Sequence, residues 1–186
     1  MSASQQPESP ADLELIAAIN RGDAAAFEVL YFRYRDWVAA LAFRFTGDND
    51  AALDVLQETF LYVLRKFPGF RLTANFKTFL YPAVRNLSIA ARRKAERYQA
   101  SEEHVRQLEN TPAAPSRESG GGELDVVLAS LSEEHREVIL LRFVDGLSLA
   151  EIAEATDIPL GTVKSRLHNA LQTLRSDQRT RDYFQQ

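Results

Sequence analysis

The sequence predicts an all-α protein of two small helical domains joined by a flexible linker. Three observations lead there. Apolar residues recur every three or four positions through most of the chain, strand-type alternation is nowhere sustained, and a polar stretch rich in Pro, Gly and Ser separates two helical blocks. With 186 residues and 45% hydrophobic content, the chain has enough apolar material for two small cores.

The first predicted helix covers Asp12 to about Asn20, with Leu13, Ile16, Ala17 and Ile19 as its apolar face and Gly22 as its stop. A second carries Phe27, Leu30, Tyr31, Tyr34, Trp37, Val38 and Leu41, a stripe broad enough to require burial on one side. The run Thr46-Gly47-Asp48-Asn49-Asp50 reads as a turn. A third helix is expected from about Ala51 to Lys66, with Leu53, Leu56, Phe60, Val63, Leu64 and Phe67 inward, closed by Pro68-Gly69. Phe70 to Asn75 reads as a loop, and a fourth helix is predicted to start near Thr78 and run past Arg93 with Pro82 in or near its first turn. From about Arg97 to Gly122 the composition turns polar, with Thr-Pro-Ala-Ala-Pro-Ser and Ser-Gly-Gly-Gly runs, which reads as a flexible linker with room for a short helix at its start.

The C-terminal block begins with Leu124, Val127, Leu128 and Leu131. Ser132 is placed to cap the next helix, whose apolar positions are Val138, Ile139, Leu141 and Phe143 and which Asp145-Gly146 ends. Ser148 and Glu151 form a capping box before Ile152, Ala153 and Ala155, and this short helix ends around Thr156-Asp157. After Pro159 the last helix turns Val163, Leu167, Ala170, Leu171 and Leu174 inward. The predicted organisation is a tail at 1–11, a four-helix domain at 12–96, the linker at 97–122, a helical domain at 123–178 and a tail at 179–186.

Composition removes several function classes. The chain has no cysteine, so disulfides and thiolate metal sites are excluded, and His104, His135 and His168 lack partners at ligand spacing. No metal or cofactor is expected. There is no Gly-rich phosphate loop or nucleophile elbow, which argues against an enzyme or a small-molecule substrate. No run of about 18 apolar residues could cross a bilayer, and the N-terminus lacks the features of a signal peptide, so a cytoplasmic protein is expected.

The net charge of −4 hides a segmental pattern: −6 over 1–64, +8 over 65–97, −9 over 98–158 and +3 over 159–186. Two basic segments between acidic ones fit two polyanion contacts on a protein that offers other surfaces to other partners, and they fit equally a set of alternating solvated faces. The +8 segment interleaves rings with charges: Phe67, Phe70, Arg71, Phe76, Lys77, Phe79, Tyr81 and Arg85, with Arg93 beyond. A basic groove with planar side chains is what holds unpaired bases. Phe67, Phe79 and Tyr81, on helices, read as core, whereas the loop residues Phe70 to Phe76 are the better contact candidates.

The last two helices read as a helix-turn-helix: a short capped helix, a tight turn, then a helix whose outer side carries Thr162, Lys164, Ser165, Arg166, His168 and Asn169 behind Gly161. Lys and Arg neutralise phosphates or read guanine edges, and Asn and Ser reach bases or phosphates.

The stretch LSEEHREVILLRFVDGLSLAEIAEATDIPLGTVKSRLHNALQTLR resembles region 4 of extracytoplasmic-function sigma factors, most specifically in the run Gly161 to Arg166. The resemblance implies a domain that binds the minus-thirty-five promoter element and touches the flap of the polymerase β subunit. LuxR-type regulators share much of this stretch and are the alternative reading. In the N-terminal block, Asp54, Gln57, Glu58 and Phe60 in A-L-D-V-L-Q-E-T-F resemble region 2.2 of the same family, which implies docking on the β′ clamp helices of core RNA polymerase through Asp54, Gln57 and Glu58. F-K-T-F-L-Y-P-A-V-R-N is similar to regions 2.3 and 2.4, with Asn86 at the family's usual Asn near the minus-ten element. The chain departs from the family at Phe79, Pro82 and Ala90, where Trp, commonly Arg, and Asp are usual; these departures bear on promoter sequence preference. The resemblance spans about 12–94 and 124–175 and implies a sigma factor whose partners are core RNA polymerase, promoter DNA and an anti-sigma factor.

Overall fold

The computed structural model describes residues 11–109, 128 and 130–176, and every regular element among them is helical. The chain divides into two compact units, Met1–Ala91 and Arg92–Gln186, each of which is described on its own.

The N-terminal unit starts with α1, Asp12–Asn20. The Glu14 carboxylate reaches back to accept from the Ala11 amide at 3.1 Å, which satisfies one of the free donors at the helix start. Leu15, Ile16 and Ile19 are buried, while Leu13 and Ala17, expected inward, face out. The stripe that meets α2 is centred one residue away from the expected one. Helix α2, Ala24–Thr46, is capped by Asp23, whose carboxylate accepts from the amides of Ala25 and Ala26, and it ends at Gly47 with φ +67°, a left-handed cap that favours glycine. Leu30, Tyr34, Val38 and Leu41 lie three or four apart and form its buried stripe.

Helix α3, Asn49–Leu64, starts on the Asp48 cap (2.9 Å to the Ala51 amide) and packs against α2, with Ala52, Val55, Leu56, Thr59, Phe60 and Val63 buried. Leu53 and Leu64, also expected inward, are exposed. The helix carries more apolar residues than one contact face can cover, and Ala52 and Val55 take the inner places.

Helix α4, Phe76–Glu109, begins earlier and ends later than the apolar spacing predicted. Asn75 caps it by accepting from the Lys77 amide at 2.9 Å. Pro82 therefore lies inside the helix rather than in its first turn, where it cannot donate to the Thr78 carbonyl one turn back. The helix also runs through 97–109, the first part of the stretch read as a linker. The division between units falls between Ala91 and Arg92, within this helix. The Pro- and Gly-rich run at 111–122, Leu124, Val127, residues 1–10 of the tail predicted at 1–11, and the tail predicted at 179–186 lie outside the described residues.

The C-terminal unit contains α5, Glu133–Ile139, a π-helical turn at Leu140–Val144, α6, Leu149–Thr156, and α7, Leu160–Ser176. Ser132 caps α5, and Ser148 with Glu151 closes a reciprocal capping box at α6 (3.3 and 2.8 Å), as their spacing predicted. Leu128, Leu131, Ile139 and Ala170 form the core, with Leu140, Leu167, Leu171 and Leu174 packed against it. The guanidinium of Arg136 donates to the carbonyls of Leu128 and Leu131, tying that entry segment to α5. In the π turn the Asp145 amide reaches the Leu140 carbonyl; Leu141 points in, and Phe143, expected inward, is 62% exposed. Residues two apart on a helical turn point to nearly opposite sides, so the two could not share the core.

Candidate nucleic-acid and protein interfaces

Helix α3 presents Asp54, Gln57 and Glu58 to solvent. Beside them run Leu53, Leu61 and Leu64, all exposed, so the face is an apolar stripe edged by two carboxylates and an amide. The apolar part was not among the expected contact residues. Its signal was present in the excess of leucines on α3 over what one buried stripe uses.

The segment from α3 into α4 gathers five rings. Phe70 packs against Phe67 (centroids 5.4 Å) and Phe79 (4.6 Å), and Phe79 in turn meets Phe76 (5.7 Å) and stacks on Tyr62 (6.0 Å, 20° between planes). Phe67, Phe70, Phe79 and Tyr62 are all half-buried, so Phe67 and Phe79 are not the core residues they were expected to be. Tyr81 is core, as expected. Phe76 is the opposite correction. Expected on an exposed loop, it opens α4, is 0% exposed and packs on Tyr34 at 4.9 Å. The Asn75 cap starts the helix early enough to swing Phe76 inward, and Asn is a recognised capping residue, so the signal was in the sequence.

Cations rim this cluster. The Lys66 ammonium stands 4.7 Å over the Tyr62 ring and that of Lys77 5.5 Å over Trp37, while Arg71 is exposed on the loop. Further along α4, Pro82, Arg85, Asn86 and Ala90 are exposed at spacings of three and four that make one face, and Arg93 and Arg97, beyond the division at Ala91, are exposed as well. Pro82 and Ala90 flank Asn86 one turn to either side. Two of the three departures from the family pattern therefore lie on the same stripe as Asn86.

The Phe70 backbone is held from far away. The side-chain oxygen of Asn20, the last residue of α1, accepts from the amides of Gly69 (2.6 Å) and Phe70 (3.1 Å), and its amide nitrogen donates to the Phe70 carbonyl (2.8 Å). Nothing in local spacing pointed to Asn20, because the contact spans fifty residues. At the other end of α1, the Asp12 carboxylate accepts from Arg33 (2.5 Å) and from the Tyr34 hydroxyl. Burial first, then the hydrogen bond to Asp12 and the charge of Asp12, pushes the Tyr34 phenol above its ordinary range.

In the C-terminal unit, α6 and α7 meet across a turn in which Asp157 takes a left-handed conformation, φ +55°, and Pro159 accepts from the Thr162 amide at 2.8 Å. Val163 and Ala170 are fully buried and fix the roll of α7. That roll exposes Gly161, Lys164, Ser165, His168 and Asn169 on one face, with Thr162 half-buried at its edge. Arg166 departs from the expected outward placement: its guanidinium bends back to the Glu134 carboxylate of α5 at 2.7 Å. Among the described residues no group of His, Asp and Glu side chains is arranged to hold a metal ion, and no helix is long and apolar enough to cross a membrane.

Residues 30–98 match the family described as sigma-70 region 2, and residues 127–176 the family described as sigma-70, region 4. The ECF RNA polymerase sigma-E factor of Haemophilus influenzae is 33% identical over 181 residues, covering 88% of this chain and 93% of that protein. The sigma-E factor of Escherichia coli K12 is 32% identical over 189 residues (90% and 94% covered), and the ECF sigma factor SigW of Bacillus subtilis 29% over 177 residues (88% and 95%). Among solved structures, CnrH in complex with the cytosolic domain of CnrY superposes with a TM-score of 0.64 at 23% identity, covering 90% of this chain and 96% of that one. The sigma factor RpoE in complex with the anti-sigma factor NepR from Bartonella quintana gives 0.53 at 23% identity, covering 80% and 94%. These two structural likenesses concern the fold.

Proposed function

The chain belongs to the sigma-70 family, in its extracytoplasmic-function group, and from that premise we propose how its surfaces divide the work of transcription initiation. Sigma factors of this family direct RNA polymerase to promoters and are not enzymes. The LuxR-type alternative has no support, because the N-terminal unit matches region 2.

In this reading Asp54, Gln57 and Glu58 on α3 dock on the β′ clamp helices of core polymerase, with the adjoining leucines covered in the contact. The exposed stripe of α4 with Arg85, Asn86 and Arg93 tracks the minus-ten element. Phe70, Arg71 and Lys77 take the unpaired strand, and Phe76 supports them from the core without touching DNA. In the C-terminal unit, Gly161, Thr162, Lys164, Ser165, His168 and Asn169 face the major groove of the minus-thirty-five element, and Arg166 acts by fixing α7. The same unit contacts the β flap. The factor works in the cytoplasm, where polymerase and DNA are, needs no cofactor, and is held in check by an anti-sigma factor, a partner of the kind named for one of the fold relatives.

One observation carries this division: a single unit exposes a carboxylate-edged apolar face on α3 and a separate basic and aromatic surface from the loop into α4. The test is to mix the purified chain with core polymerase, follow co-elution, and sequence the transcripts started on a random promoter library. Co-elution with start sites that share two upstream elements is expected. A chain that leaves core polymerase unbound, or that binds it without new start sites, would overturn the proposal.

A further inference from the structure

We infer that Asn20 is a positioning residue for single-strand capture, acting through the backbone of Phe70; the inference rests on the capture role proposed above for the 68–75 loop. One amide side chain makes three hydrogen bonds to two consecutive residues of a segment without regular structure. The set uses both faces of the amide. An oxygen is required to receive the Gly69 and Phe70 amides, and a donor is required to meet the Phe70 carbonyl, so a carboxylate or an apolar side chain of similar size satisfies only part of it.

The geometry explains why glycine stands at 69. Its φ of +100° belongs to the region L side chains rarely adopt, and in that conformation two successive amides converge on the one Asn20 oxygen. Asn20 is itself held firmly. Leu15, Ile16 and Ile19 bury α1 against α2, and Asp12 ties the opposite end of the helix to Arg33 and Tyr34. The loop is thus referenced to the α1–α2 core through Asn20, and through the Phe70 ring to Phe79 of α4 and to Phe67 in the segment after α3. A loop ordered before the strand arrives loses less conformational freedom on binding than one that must be ordered by it. Asn20 touches no DNA in this scheme.

The test uses holoenzyme reconstituted from core polymerase and the full chain. Three quantities are measured: affinity for core polymerase, affinity for a duplex carrying only the upstream element, and affinity for a single-stranded oligonucleotide of the non-template strand, both DNA probes taken from a promoter recovered in the start-site experiment. Asn20→Ala and the near-isosteric Asn20→Leu are expected to weaken the oligonucleotide about fivefold or more while the other two affinities stay within twofold. Asn20→Asp keeps both acceptor bonds and is expected to fall between them and the wild type. Asn20→Ala combined with Phe70→Ala is expected to bind the oligonucleotide no more weakly than Phe70→Ala alone, a non-additivity that a general loss of fold would not produce. Oligonucleotide affinity within twofold of wild type in both Asn20→Ala and Asn20→Leu, while Phe70→Ala is impaired, overturns the inference and leaves the capture reading standing. An unimpaired Phe70→Ala overturns the capture reading and the inference with it. Additive losses in the double variant, or parallel loss of core binding in all three Asn20 variants, also overturn the inference.

Discussion

Arg166 and Glu134 join α7 to α5 through a contact of 2.7 Å between guanidinium and carboxylate. The arginine side chain is 21% exposed and the glutamate 64%, so the cation lies along the protein surface and the anion holds it there from the solvent side. Lys164 and Ser165, its neighbours, remain exposed. A residue next to two positions proposed to face DNA is therefore engaged within its own unit, where it helps to fix the setting of α7.

The pair predicts a small and shared energetic signature. Because Glu134 is largely solvated, Arg166→Ala and Glu134→Ala should each lower the stability of the C-terminal unit by about 0.2–1 kcal/mol, with a double-variant cycle showing coupling of the same order. Arg166→Ala should weaken binding to matched and scrambled upstream elements by similar factors. If titrations show preference lost at one base position only, Arg166 leaves Glu134 to read that base, and the positioning role is wrong.

Phe76 predicts a contrast with Phe70. Phe76 is fully enclosed and packs on Tyr34 and Phe79, so Phe76→Ala should destabilise the chain by about 3–5 kcal/mol, measured by urea unfolding. Phe70 is half-buried, and its truncation should cost distinctly less stability. Equal costs would mean that Phe70 belongs to the core and is not available to a base.

These two rings show where the sequence was legible and where it was not. Helix identity followed from apolar spacing and from caps such as Ser132 and the Ser148–Glu151 box, because such signals are local and correspond to satisfied amides, one at Ser132 and two in the box. The inner face of a helix was less legible. On α3 the choice between Leu53 and Val55 depends on where α2 lies, and no property of α3 alone decides it. The outer side of α7 was legible for Lys164, Ser165, His168 and Asn169, since Val163 and Ala170 set the roll of the helix, whereas Thr162 is half-buried and the partner of Arg166 lies on another helix. Asn20 was invisible for the same reason: its chemistry is that of any helix-ending asparagine until the fold brings Gly69 and Phe70 against it.

Docking through α3 predicts separation of binding from folding. Asp54→Lys with Glu58→Lys should abolish association with core polymerase, while helical content is unchanged and stability shifts by no more than about 0.5 kcal/mol, because both side chains are exposed. Leu53→Ser and Leu61→Ser should also weaken association without loss of fold, because both leucines are solvent-facing. Co-elution at wild-type level in the charge-reversed variant would show that this face is merely solvated.

The raised Tyr34 pKa predicts alkaline sensitivity. The phenol ordinarily loses its proton near pH 10, and in the folded unit burial and the Asp12 contact hold the proton more tightly. The folded state is the stronger proton binder, so this contribution is fully present below about pH 10 and is lost as pH rises through the higher folded value. Tyr34→Phe should be less stable than wild type by about 1 kcal/mol at neutral pH, from the lost hydrogen bond, but should lose less stability between pH 9 and about 11. Urea unfolding across that range measures both effects, and parallel alkaline slopes in the two proteins would remove Tyr34 as their source.

The recognition face predicts two kinds of failure that salt can separate. Lys164 is a point charge on the exposed side of α7 close to its N-terminus, the end that a helix-turn-helix inserts into the major groove. If it neutralises a phosphate, Lys164→Ala in holoenzyme should weaken matched and scrambled upstream elements alike and reduce the slope of log affinity against log salt by about one unit. Asn169 lies on the same face and carries an amide that can pair with an adenine edge. Asn169→Ala should leave the salt slope unchanged and, where the contact is made, cost about 1–3 kcal/mol on the matched element only. Ser165, whose hydroxyl already donates to the Thr162 carbonyl at 3.0 Å, should show the smallest effect of the three, because its proton is committed within the helix. Should the combined Lys164→Ala and Asn169→Ala holoenzyme bind the upstream element with wild-type affinity and salt dependence, DNA meets a different face of the C-terminal unit, and the roll of α7 set by Val163 and Ala170 serves packing alone.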